Sequence, residues 1–92
     1  MSGAHAWEAR LSEGEAAGLA DRRRTVAFAN EQEVEIIAQL ERARAMVPGH
    51  RRDDEIAYQT QRLETQRAWA RPFRELLRNV TTYYAHKYRT AA

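Results

Sequence analysis

Apolar residues recur in the first half of the chain at Leu19, Val26, Ala29, Ile36, Leu40, Ala43 and Val47, in steps of three, four and seven. That spacing gathers them on one face of a helix. Arg22 and Glu33 interrupt the stripe, while Val34 and Ile37 widen it. Ser12-Glu13-Gly14-Glu15 has the form of a capping box, in which Ser12 and Glu15 satisfy each other's backbone donors. No proline follows until Pro48, so the pattern predicts one long helix over 12–47. Val47 precedes a proline and is steered out of the helical region. Pro48-Gly49 therefore marks a turn over 48–52, and Asp53 is the expected N-cap of the next helix. Asp54 and Glu55 then place negative charge on its first turn, where the helix dipole favours it.

The second helix, expected over 53–89, has the cleaner period. Ile56, Leu63, Ala70, Leu77 and Tyr84 fall every seven residues, with Gln59, Gln66, Phe73, Val80 and Lys87 as heptad partners. Trp69, Leu76 and Tyr83 broaden the late half into a wide apolar face. Pro72 lies inside this helix and removes one backbone donor, so a bend is expected near residues 68–72. A restart at Pro72 is less favoured, because Arg71 would be a poor cap. Residues 1–11 show no period and read as a flexible arm, with Trp7 as the only large anchor.

A short connection between two long helices implies an antiparallel hairpin. The expected fold is all-α and coiled-coil-like, with facing residues whose numbers add to about 100. That register sets Ile37 near Leu63, Ala29 near Ala70, Val26 near Phe73 and Leu19 near Val80. It also brings Glu33 and Glu35 towards Arg62 and Arg67, and Arg24 towards Glu75. One hairpin cannot cover Trp69, Phe73, Leu76, Leu77, Val80, Tyr83 and Tyr84 together. Burying a large apolar side chain is worth about 1.5–3 kcal/mol, so an uncovered group of them marks an interface. The expectation is a homodimer forming a four-helix bundle, or a protein partner on the same residues.

Composition narrows the function classes. With 92 residues the chain holds one domain at most. It has no cysteine, hence no disulfide and no thiolate metal site. Four glycines and two prolines are too few for the turns of an all-β fold. A hydrophobic content of 43% is too high for a disordered chain. No apolar run approaches the ~18 residues of a membrane span, and Met1–Arg10 lacks the pattern of a signal peptide. A cytoplasmic protein is the expectation. The net charge of +2 hides an asymmetry. Residues 56–92 carry seven cations against Glu64 and Glu75, a net of +5, which leaves −3 for the rest.

Candidate chemistry is sparse. His5, His50 and His86 are scattered over arm, turn and tail, and the Glu-x-x-His pair of a di-iron bundle is absent. Glu31, Glu33 and Glu35 alternate and so spread around a helix instead of converging. There is no nucleophile elbow and no glycine-rich phosphate loop. No catalytic residue, metal site or cofactor is expected, and the chain does not read as an enzyme. The expected role is that of an adaptor, assembly or inhibitor protein acting through helical surfaces. The alternative rests on Arg67, Arg71, Arg74 and Arg78, whose spacing makes one basic stripe. With Arg89, and with Tyr83, Tyr84 and Tyr88 nearby, it could follow a nucleic-acid backbone.

Overall fold

The computed structural model describes residues 6–89. Helix α1 spans Glu13–Arg44 and helix α2 spans His50–Lys87, preceded by a short 3-10 turn at Ala6–Arg10. The two helices pack along their length as an antiparallel hairpin, with no strand among the described residues. The molecule measures 64 × 27 × 19 Å, with a radius of gyration of 18.9 Å. A globule of this length would have a radius near 12 Å, so the chain forms a rod.

The capping box forms as its residues predict. Glu15 N donates to Ser12 Oγ at 3.1 Å, and Ser12 N donates to Glu15 Oε1 at 2.9 Å. At the turn the boundaries differ from the sequence reading. Helix α1 stops at Arg44 instead of Val47, and α2 starts at His50 instead of Asp53. The N-cap is Gly49, and Asp53 sits inside the first turn with its N–H on the Gly49 carbonyl at 3.0 Å. Gly49 makes this possible. Its φ of 150° and ψ of −172° lie in a region open essentially to glycine alone, and they turn the chain directly into α2. Arg52 Nε donates to the Arg44 carbonyl at 3.2 Å, so a cation from α2 caps the C-terminal end of α1.

The seam follows the expected register. Ile36, Leu40 and Leu63 form the buried cluster, flanked by Ile37 and Ile56. Ala29 and Ala70 have no exposed surface at all, and they stand at the same level of the rod. Two small residues let the backbones approach there. Gln66 Nε2 reaches the Ala29 carbonyl at 3.3 Å. The polar heptad position Gln59 is also buried, and it is satisfied locally. It donates to Glu55 at 2.8 Å and accepts from Arg62 at 3.0 Å.

Helix α2 runs without a break through Pro72. The proline leaves the Ala68 carbonyl without its helical donor, but both residues are solvent-exposed, so water can take that place. The N-terminal segment also departs from the flexible arm expected of residues 1–11. Trp7 is buried at 9% exposure in the Ala6–Arg10 turn, which packs against α2. Glu8 Oε1 holds the turn to Arg23 at 2.8 Å. One indole thus acts as a third element over the open end of the hairpin. Residues 1–5 of the arm and residues 90–92 lie outside the described region.

Candidate interaction surface

A two-helix rod has two long sides flanking its seam, and here they are chemically opposite. On one side a row of α2 residues runs Tyr58, Arg62, Thr65, Trp69, Phe73, Leu76, Val80 and Tyr83, in steps of three and four. The facing edge of α1 supplies Asp21, Thr25, Phe28 and Gln32 at the same spacing. Contacts across the seam fix this pairing. Phe73 and Leu76 line a pocket with Asp21, Arg22 and Thr25, while Tyr58 and Thr65 line a wider groove with Gln32 and Ile36.

This side holds most of the uncovered apolar surface. Tyr83 is 60% exposed, Tyr58 58%, Phe28 54%, Trp69 44%, Leu76 43% and Phe73 36%. The other large exposed hydrophobics among the described residues, Val34 and Val47, lie elsewhere. Trp69 and Phe73 stack in a tilted pair with ring centroids 5.0 Å apart. Arg62 lies 5.9 Å from the Tyr58 ring centroid, so its cation partly faces an aromatic surface. Beneath the pocket, Arg22 donates to the Gly18 carbonyl at 3.3 Å, yet its Nε is buried with no hydrogen-bond partner.

Of the seven residues expected to need a partner, the structure exposes Trp69, Phe73, Leu76 and Tyr83 and half-buries Leu77, Val80 and Tyr84. The hairpin covers these three in part. Tyr58 and Phe28 join the exposed set without having been singled out from sequence. The Tyr58 signal was present, since the three-and-four row begins there, but Arg62 and Thr65 interrupt its apolar character.

The opposite side is cationic and partly neutralised. Arg67, Arg71, Arg74 and Arg78 line one shallow groove together with Glu75. Arg67 donates to Glu33 at 3.2 Å, and Arg74 donates to Glu33 at 3.0 Å and to Asn30 at 2.9 Å. Burial works against ionisation of Glu33, but the hydrogen bonds from Arg74 and Arg67 outweigh it and hold its pKa below the usual value. Arg71, Arg78 and Arg89 are exposed and make no ion pair among the described residues. The other expected charge pairs resolve locally. Arg24 binds Asp21 instead of Glu75, Glu35 meets Gln39 and Arg42, and Arg62 turns to Gln59.

At the open end of the rod a clasp joins the two helices. Tyr88 donates its hydroxyl to Glu15 Oε1 at 2.7 Å, and Lys87 donates to Glu15 Oε2 at 3.1 Å. Lys87 also lies 5.1 Å from the Tyr88 ring centroid and 5.9 Å from that of Tyr83. The backbone bond from Ser12, then Tyr88 and Lys87, hold the Glu15 pKa down to about 2. The hydrogen bond to Glu15 raises the pKa of Lys87, and the same partner raises that of Tyr88. The capping-box carboxylate thus also ties the end of α2 to the start of α1.

Among the described residues no group of three or more His, Asp or Glu could hold a metal ion, and no helix is long and apolar enough to cross a membrane. Comparisons with protein-family models, with curated proteins and with solved structures returned no match.

Proposed function

We propose that the chain is a non-enzymatic cytoplasmic protein that works by protein–protein contact, as an adaptor, assembly or inhibitor protein, and that it self-associates into a four-helix bundle. One observation carries this reading. Phe28, Tyr58, Trp69, Phe73, Leu76 and Tyr83 lie uncovered on one side of a rod whose seam is already packed. Contiguous apolar surface of this kind on a small soluble protein marks a binding site. Aromatic residues are also the side chains that dominate interface energetics. A bend of α2 at Pro72 belongs to the same reading, because the missing bond to the Ala68 carbonyl makes that the softest point of the helix.

Sedimentation velocity tests the proposal. A dimer at tens of micromolar is the expected result, and a well-folded monomer at that concentration overturns it. The nucleic-acid alternative draws on Arg71, Arg78 and Arg89, since Arg67 and Arg74 are committed to Glu33. It predicts retention of arbitrary DNA at low salt that falls steeply as salt rises. It also predicts loss of that retention in an Arg71→Ala, Arg78→Ala double variant that still sediments as the wild type does.

A further inference from the structure

Resting on the reading that the aromatic side is a contact surface, we infer that its occupant is the same side of a second copy, laid antiparallel. The two-fold axis crosses α2 at the level of residue 71. A two-fold contact must be self-complementary: whatever lies at one distance from the axis meets what lies at the same distance beyond it.

Any row with three-and-four spacing is symmetric in position, so the residue types decide. Trp69 and Phe73 stand two residues either side of position 71, which sets aromatic against aromatic at the centre. Tyr58 and Tyr83 stand thirteen and twelve residues away, and they meet as a second aromatic pair. Glu55 and Lys87 also stand sixteen away on each side, but Gln59 and Glu15 of the same chain already hold them, so the aromatic pairs carry the match. Arg62 against Val80 and Thr65 against Leu76 are mixed pairs and add little.

Shape makes the same choice. The wide groove beside Tyr58, Thr65 and Gln32 lies on one side of residue 71, and the exposed Leu76 and Tyr83, with the smaller pocket that Leu76 and Phe73 line, lie on the other. An antiparallel copy brings Leu76 and Tyr83 of each chain over the groove of the other. A parallel copy would set groove on groove and Leu76 at the level of Leu76.

Helix α1 contributes independently. In the hairpin register, Phe28 stands at the level of Pro72, hence beside the axis, and meets the Phe28 of the second copy. The face runs ~48 Å from Glu55 to Lys87 at 1.5 Å per residue and is two helices, or ~18 Å, wide. It therefore offers on the order of 800 Å², which is what each partner contributes to a standard stable interface.

The orientation is read by a distance. His50 has 93% of its side chain exposed at the turn end and lies off the face, and the chain has no native cysteine. A His50→Cys variant carrying a nitroxide, confirmed by sedimentation, is measured by pulsed electron–electron dipolar spectroscopy. Antiparallel copies put the two turns at opposite ends, about 60 Å apart at 1.5 Å per residue. An intermolecular distance of 50 Å or more, on the order set by that rise, supports the inference. A shorter one in a sedimenting dimer overturns the inference and leaves self-association standing. A monomer with no intermolecular coupling overturns both.

Discussion

The two long sides of this hairpin are made by the same helix and differ in how they are satisfied. On the arginine side, two of the four cations in the stripe, Arg67 and Arg74, find a partner within the chain. Glu33 takes both Arg67 and Arg74, and Asn30 takes Arg74 again. On the aromatic side, Trp69 stacks on Phe73, and Leu76, Tyr83, Tyr58 and Phe28 still leave about half of their surface uncovered. Charge can be neutralised by one carboxylate reaching across a seam. Apolar area can be removed from water only by covering it, and two helices have no third surface to offer. The difference explains why a basic stripe in a sequence is weak grounds for a ligand, whereas an uncovered aromatic row is strong grounds for a partner.

The most damaging test of this comparison strikes the aromatic side. Replacing both Trp69 and Phe73 with Glu should weaken self-association at least ~100-fold, since paired aromatic anchors at an interface centre are each worth about 2 kcal/mol or more. Trp69 lies off the hairpin seam and Phe73 at its edge, beside Asp21, Arg22 and Thr25, so far-ultraviolet circular dichroism should show the helix content largely unchanged. Loss of helix in the isolated variant would mean the aromatic row serves the fold and not a partner.

Next in size is Pro72→Ala. An interior proline costs a helix about 3 kcal/mol relative to alanine, and the Ala68 carbonyl regains its donor in the variant. Thermal unfolding should show a gain of about 1–3 kcal/mol, below the full value because Ala68 is exposed and already hydrated. If the variant also self-associates more weakly, Pro72 shapes the aromatic face. If only stability rises, Pro72 has no part in that face.

Much of this architecture was legible in the sequence, for reasons tied to particular residues. Leu63, Ala70 and Ile36 declare the seam because helix periodicity is local, and the hairpin register follows once the turn is located. The capping box at Ser12 and Glu15 is local too. The turn boundaries were not legible. The chain could enter α2 at His50 because Gly49 adopts a conformation that no sequence period encodes. The role of Trp7 was also hidden, because a lone indole in an aperiodic segment carries no register. Likewise, Glu15 reads as a cap alone until folding brings Tyr88 and Lys87 to it. The two-sidedness of α2 was half visible. Arg67, Arg71, Arg74 and Arg78 stood out, and the register brought Glu33 towards Arg67, but it did not reveal that Glu33 takes Arg74 as well.

Glu33→Gln isolates that neutralisation. It removes one carboxylate shared by two half-exposed arginines, so the loss of stability should be about 1 kcal/mol or less in denaturant unfolding. The variant also frees Arg67 and Arg74. If the arginine side is held back from polyanions only by Glu33, DNA retention at low salt should rise in this variant above that of the wild type. Unchanged retention would show that the stripe has no such latent role, and the contrast between the two sides becomes sharper.

The smallest expected effect belongs to the clasp at the open end, where Lys87 is exposed and Glu15 and Tyr88 are half-buried. Glu15 ordinarily titrates near 4.5 and is held to about 2 in the fold. A depressed carboxylate contributes stability that is fully present above its unfolded value and is lost as pH falls through the folded one. The clasp should therefore hold at neutral pH and weaken as pH drops from about 4.5 towards 2. Lys87 and Tyr88 are shifted the other way, so their contributions persist through neutral pH and fade only in strong alkali. Unfolding curves recorded across the acid range should lose part of their pH slope in Glu15→Gln. The amide can still accept from Ser12 N and Tyr88, but it no longer titrates. An identical slope in the variant would mean that Glu15 keeps its ordinary pKa, and that the open end is closed by Trp7 and the seam alone.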